Sequence, residues 1–220
     1  MFPFSCARAQ LNGNISPTIV TMANSIAPYA ELDRLCGKGR LLPAFPGAGG
    51  GFLNGILDAG LTPYFIQPTT FGEIDGRNSE RVETLKRIFS KAHIPHQVVK
   101  DMRLWQICHL GMVVPLADAY YMAENPQEAY KDNAAMRTTA RRLHENFTRL
   151  HQYGIRISPP KLNLFRLCPV CVLSRVLPAV FRSRFGNRFM LQHAIKARNE
   201  MDVLHDEFYS FLDERKKQAG

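Results

Sequence analysis

The chain has 220 residues, 45% apolar and 21% charged, and its 28 Lys and Arg against 19 Asp and Glu give a formal net charge of +9. That profile excludes intrinsic disorder and collagen-like repeats, and at about 150 residues per domain the length accommodates one large domain or two small ones. Cys6, Cys36, Cys108, Cys168 and Cys171 form an odd set in a chain too long to need a disulfide framework, which fits a reducing, cytoplasmic setting.

In chain order, Met1 to Gln10 shows no basic start and no apolar run, so no secretory signal is expected. Residues 17–22 read as a strand, 26–35 as a short helix closed at Gly37, and 40–45 and 63–67 as further strands. A helix begins at Ser79, with Glu80 and Glu83 in its first turns and Lys91 near its end, and His96 to Val99 forms a last strand. After Asp101 the period becomes helical. Leu104, Ile107, Cys108, Leu110 and Val114 share a face, and Pro115 is expected to bend or interrupt the helix. Asn125-Pro126 opens a helix expected to reach about Tyr153 and stop at Gly154. Ser158-Pro159-Pro160 breaks the chain, and helical stretches follow near 162–185 and 189–217. The boundary between an α/β part, 1–100, and an all-helical part, 101–220, is therefore expected near residue 100. The longest apolar run, Leu162 to Phe181, is interrupted by Arg166, Pro169, Arg175 and Pro178, so no membrane span is expected. The glycosylation acceptors at Asn14 and Asn146 read as chance matches.

The charge is unevenly placed. Between Glu145 and Glu200 lie 54 residues without an acid, but with Arg149, Arg156, Lys161, Arg166, Arg175, Arg182, Arg184, Arg188, Lys196 and Arg198. Such a block is either a solvated basic face or a surface for an anion. A nucleotide phosphate or an acidic metabolite fits better than nucleic acid, because no nucleic-acid-binding motif accompanies it.

Several motifs invite chemistry. The segment Phe45-Pro-Gly47-Ala-Gly49-Gly50-Gly51-Phe52 follows a strand, but a dinucleotide fingerprint needs a third glycine or alanine where Phe52 stands. A glycine loop approached closely by a ligand or by another backbone remains open. Cys168-Pro-Val-Cys171 has C-x-x-C spacing without a second pair or clustered histidines; no metal site is expected, and the thiols read as buried and structural. Trp105 and His109 lie one turn apart and read as core, while Glu200 is either an ion-pair partner or a binder of a substrate hydroxyl.

Further landmarks are Ile19-Val-Thr-Met-Ala-Asn24-Ser, Asp101-Met-Arg-Leu-Trp105, Val114-Pro115-Leu116 and Glu200-Met-Asp202. With the glycine segment, and in this order, they resemble the ketopantoate reductase family, the NADP-dependent 2-dehydropantoate 2-reductases, from about Asn14 to Leu212. The resemblance implies a partial Rossmann-type NADP-binding segment followed by a helical domain like the C-terminal domain of 6-phosphogluconate dehydrogenase, with substrate and nicotinamide meeting in the cleft between. It implies NADP as cofactor with Gly47, Gly49 and Gly50 near it, and Asn24 and Glu200 as substrate-binding residues. It also implies hydride transfer to a small 2-keto acid while a lysine protonates the developing alkoxide. The family's N-terminal G-x-G-x-x-G has no counterpart here, and the lysine position, two residues after Trp105, holds Ile107, leaving His109 as the substitute proton donor. Val114 and Arg188 stand where an asparagine and a serine are expected. Two readings follow: a reductase-like oxidoreductase impaired as this chain, and a non-catalytic relative serving as a dimerisation or anion-binding module. An exposed edge of a partial sheet suits pairing as a homodimer.

Overall fold

A computed structural model of the chain describes residues 16–219; the expectations for Met1 to Gln10, Cys6 and the Asn14 acceptor lie outside them. The chain is mixed α/β, with a small mixed sheet in its first half and helices in its second. Its internal contacts divide it into two units. One holds the described residues up to Ala48 together with Leu61–Arg103, and the other holds Gly49–Gly60 together with the chain from Leu104 onward.

In the first unit a four-stranded sheet has the order β1-β2-β5-β6, built from β1 (Ile19–Met22), β2 (Leu41–Phe45), β5 (Thr69–Phe71) and β6 (His96–Val98). β1 runs parallel to β2 and β5 parallel to β6, but β2 and β5 are antiparallel, so the sheet is mixed. Residues 63–67, expected to be a strand, form a turn instead: Ile66 and Gln67 both donate to the Pro63 carbonyl. The pairing begins at Thr69, where Thr-Thr-Phe supplies the β-branched and aromatic side chains a buried strand favours. Helix α1 (Tyr29–Cys36) closes at Gly37 (φ 91°), and the Asp33 carboxylate just before accepts from the Gly39 amide at 3.0 Å. Helix α2 (Glu80–Lys91) is capped by Ser79, whose hydroxyl accepts from the Val82 amide, and it packs Val82, Leu85 and Phe89 on Leu42, Ala44 and Phe71. Buried Glu73 ties this layer together. Arg81 donates to it through Nε at 2.7 Å while reaching the Gly39 and Leu41 carbonyls, and this hydrogen bond holds the Glu73 carboxyl below its ordinary value.

The glycine segment is a hairpin rather than a loop. β3 (Ala48–Leu53) and β4 (Ile56–Leu61) form a two-stranded sheet. They turn at Asn54 (φ 51°) and Gly55 (φ 79°), the paired left-handed conformations of a type I′ connection. Both Asn54-Gly55 and Asp58-Ala-Gly60 read as turns from the sequence alone, but Asp58-Ala-Gly60 lies within β4 because the register set by Asn54-Gly55 carries pairing past it.

The helical unit is organised around α3 (Met102–Met122), which runs through Pro115 as one helix. It is buried on every side over 105–111 rather than along a single face. Proline has no N–H, so the Gly111 carbonyl four residues earlier loses its helical donor. Asn146, 1% exposed, supplies the replacement: its Nδ2 donates to the Gly111 oxygen at 3.1 Å from helix α4 (Asn133–Gln152). The same burial closes Asn146 to glycosylation. A side chain at Gly111 would meet Phe208 and Leu150 at 3.3 and 3.4 Å, so glycine lets both press against α3.

The helix expected from Asn125 to Tyr153 is interrupted. Pro126–Lys131 form a 3-10 turn, and Asp132 restarts the chain as an N-cap by accepting from the amides of Ala134 and Ala135 at 2.9 Å. The stretch 162–185 divides at Cys168-Pro169 into α5 (Leu164–Leu167) and α6 (Val170–Arg182), since a proline at 169 opens a helix better than it continues one. The stretch 189–217 becomes a π-helical segment (Gly186–Leu191), α7 (Gln192–Lys196) and α8 (Arg198–Ala219). Among the described residues no single helix is long and apolar enough to cross a membrane. The pair Pro160–Leu167 and Val170–Arg182, bent by 120°, meets the length and composition test only jointly.

Replacing Asn146 with Ala should lower unfolding free energy by about 1–3 kcal/mol, the cost of a buried carbonyl left unpaired. In a Pro115→Ala background, where residue 115 regains its N–H, the same change should cost about 1 kcal/mol less. Chemical denaturation of the four proteins measures the coupling, and strict additivity would exclude this role for Asn146.

Candidate functional site

The residues singled out in the sequence fall into separate environments. Asn24 follows the carboxyl end of β1, the end of a parallel pair at which open α/β sheets bind ligands. It is 8% exposed, and its Oδ1 is buried without a hydrogen-bond partner among the described residues. A buried amide oxygen without a donor costs about 1–3 kcal/mol, a cost that a ligand donor would remove. Asn24 thus leaves a hydrogen-bond acceptor open among the described residues of the first unit.

Trp105, Ile107 and His109 belong to the core of the second unit. Trp105 and His109 stack with centroids 4.9 Å apart and planes within 9°. Burial, with a smaller contribution from the charge of His193, pushes the His109 pKa down to about 3, so the imidazole is neutral at physiological pH. Ile107 is 5% exposed and offers no proton. Neighbouring Cys108 is also a core residue, its thiol donating to the Arg156 carbonyl and its sulfur accepting from the Ser158 amide. Glu200 stands exposed in the first turn of α8, without an ion pair among the described residues.

The backbone of the glycine segment is closely covered. At Gly47 an added Cβ would lie 2.2 Å from the Thr69 amide, at Gly50 2.1 Å from the Asp58 carbonyl, and at Gly49 2.7 Å from the Phe189 ring. Protein atoms therefore take up the bare faces of Gly47, Gly49 and Gly50. The residues do not form the open cradle that a dinucleotide pyrophosphate needs, and the segment is strand rather than a turn into a helix. Cys171, expected to be buried, is exposed at the start of α6, and Cys168 is half-buried, because the helix break at Pro169 lifts both out of the core. Among the described residues no group of three or more His, Cys, Asp or Glu side chains could hold a metal.

Two cavities open on the helical unit. The first, of about 390 Å3, is lined by Asp118 and Tyr121 of α3, Arg142 of α4, and Arg198, Asp202 and His205 of α8, among others. Arg142 Nη1 donates to Asp118 Oδ2 at 2.6 Å, and His205 Nδ1 lies 3.1 and 3.2 Å from the two carboxylate oxygens. Burial raises the Asp118 carboxyl above its ordinary value, while His205 and Arg142 oppose that rise. The Arg198 guanidinium lies 4.8 Å above the Tyr121 ring. Asp118 and His205 are 87 positions apart, so no spacing in the sequence could have joined them.

The second cavity, of about 560 Å3, lies between the hairpin and residues 182–192. Gly51, Phe52 and Asp58 line one side; Arg182, Ser183, Arg184, Asn187, Arg188 and Gln192 line the other. Arg188 is anchored by Nη2, which donates to Asp58 Oδ1 and to the Ala59 carbonyl. Neither this cavity nor the first is lined by His109 or Glu200.

No family model, curated protein or solved structure matches this chain.

Arg142→Ala should destabilise the helical unit by about 1–3 kcal/mol by leaving Asp118 without its closest cation, whereas Asp118→Asn, which removes the buried charge itself, should cost less. Thermal unfolding of the two variants gives the order, and a larger loss for Asp118→Asn would contradict it.

Proposed function

We propose that the chain is a ketopantoate-reductase-type protein that binds a small 2-keto acid and, as this polypeptide, does not itself supply the proton that keto reduction requires. The observation that carries the binding half is Asn24: a nearly buried amide with an unpartnered oxygen at the carboxyl end of a strand. Its place matches the substrate-binding asparagine that the resemblance implies. Glu200, the second residue so implied, is exposed, has no ion pair among the described residues and is available to a ligand hydroxyl.

The chemistry supports the second half. Reduction of a carbonyl leaves an alkoxide that must be protonated or stabilised in the transition state. The position implied for the lysine is Ile107, sealed in the core, and His109 is neutral and enclosed beside Trp105. A neutral imidazole is far too weak an acid at physiological pH to take the lysine's role. With the glycine faces filled, no step through NADP is assigned to these residues. The reading is thus nearer the non-catalytic relative than the working reductase.

Calorimetry of the full chain with ketopantoate should give saturable binding that Asn24→Ala weakens by about tenfold, as expected for one hydrogen bond to a charged or polar ligand. NADPH oxidation with the same keto acid should stay at the rate without protein. Absence of binding would overturn the first half, and turnover above background the second.

A further inference from the structure

The ten basic residues of the acid-free block differ in whether the protein itself engages them. Several are accounted for by the protein itself: Arg149 pairs with Asp213, Arg166 bonds to Asn163, and Arg198 covers Tyr121. Arg182 and Arg184 are different. They flank Ser183 at the end of α6, line the 560 Å3 cavity together, and have no hydrogen bond or ion pair among the described residues. Two like charges facing one cavity repel each other until an anion lies between them.

The surroundings are those of a binding site. Arg188 is held by Asp58 and the Ala59 carbonyl, so its guanidinium is already ordered; Asp58, the one acid on the wall among the described residues, is engaged by that contact. The amides of Asn187 and Gln192 line the same cavity without a side-chain partner. Asn187 and Arg188 sit in the π-helical segment, a rare conformation that is concentrated at functional sites because its wider turn re-aims side chains. Across the cavity Gly51 lies on the wall with the Lys196 ammonium covering its side-chain face, and the ring of Phe52 is 69% exposed.

We propose that the cavity between the β3–β4 hairpin and residues 182–192 binds a phosphomonoester carried on a ring-bearing small molecule, of the nucleoside monophosphate class. Arg182 and Arg184 grip the phosphate, Asn187 and Gln192 supply further donors, and Phe52 receives the ring. A phosphate dianion matches two unpaired guanidiniums and their planar donor forks, whereas a monocarboxylate leaves one charge uncompensated. The volume suits such a ligand, since small-molecule sites span about 300–1,000 Å3. This site rests only on residues of the helical unit and is independent of keto-acid binding at Asn24.

Calorimetry of the full chain with AMP, inorganic phosphate and acetate tests it. AMP should bind, inorganic phosphate more weakly, and acetate least. The Arg182→Ala/Arg184→Ala double variant should lose about tenfold or more in AMP affinity. Phe52→Ala should weaken AMP while leaving inorganic phosphate unchanged, and Asn24→Ala should change neither. All replaced arginine and phenylalanine side chains are exposed, so unchanged circular dichroism and melting should accompany the loss. No response to AMP or phosphate, or full affinity in the double variant, overturns the assignment. So does binding confined to a single-stranded oligonucleotide or to phosphatidic acid vesicles, with AMP inert.

Discussion

A single hydrogen bond, from Asn146 Nδ2 to the Gly111 carbonyl, makes the helical unit consistent with its own sequence. Pro115 interrupts the donor ladder in the middle of the most deeply buried helix, where water cannot substitute. By closing that gap from α4, Asn146 lets α3 continue through the core. Phe208 and Leu150 fill the space over Gly111, and the hydroxyls of Tyr120 and Tyr121 bond to the carbonyls of Gly186 and Ala194. The residues around both cavities inherit their positions from this arrangement: Asp118 and Tyr121 directly, and 186–196 through the two tyrosines.

The same constraint decides the chemistry available along α3. Over 105–111 the helix is enclosed on every side and has no face left for a proton donor, so Trp105, Ile107, Cys108 and His109 all serve packing. Polar capacity is displaced to the rims, where α3, α4 and α8 bring Asp118, Arg142 and His205 together and where the hairpin faces the arginines of 182–188. Asp118 needs Arg142 and His205 because it is buried. Among the described residues Arg182 and Arg184 have no comparable partner, and the proposed phosphate site rests on that difference.

Much of the first unit was legible because its signals are local. Ser79 before Glu80 and Glu83, Gly37 after a short helix, and the Asn54-Gly55 turn each encode a conformation within a few residues, and each is found. The glycine run misled because glycine is equally suited to a ligand loop and to close strand pairing. Only the carbonyl of Asp58 lying against Gly50 distinguishes the two. Asp132 carries no recognisable cap signal, because a cap inside a helical pattern is indistinguishable from an exposed acid until its side chain meets the Ala134 and Ala135 amides. The π-helical segment and the Asp118–His205 contact carry no short-range signature. Of the candidate site residues, Asn24 and the basic block were visible in the sequence. The burial of His109 was open there as a core reading, and the pairing state of each arginine required the fold.

The central claim is that the enclosed stretch 105–111 of α3 offers no acid–base group to a ligand, and His109 tests it most directly. Histidine-labelled nuclear magnetic resonance of the full chain, assigned with His109→Gln, follows the ring through the ordinary histidine range near 6.5. The account predicts a resonance that stays neutral throughout that range and titrates only toward about 3, if the fold persists. A His109 titration near 6.5 in the folded chain would contradict it.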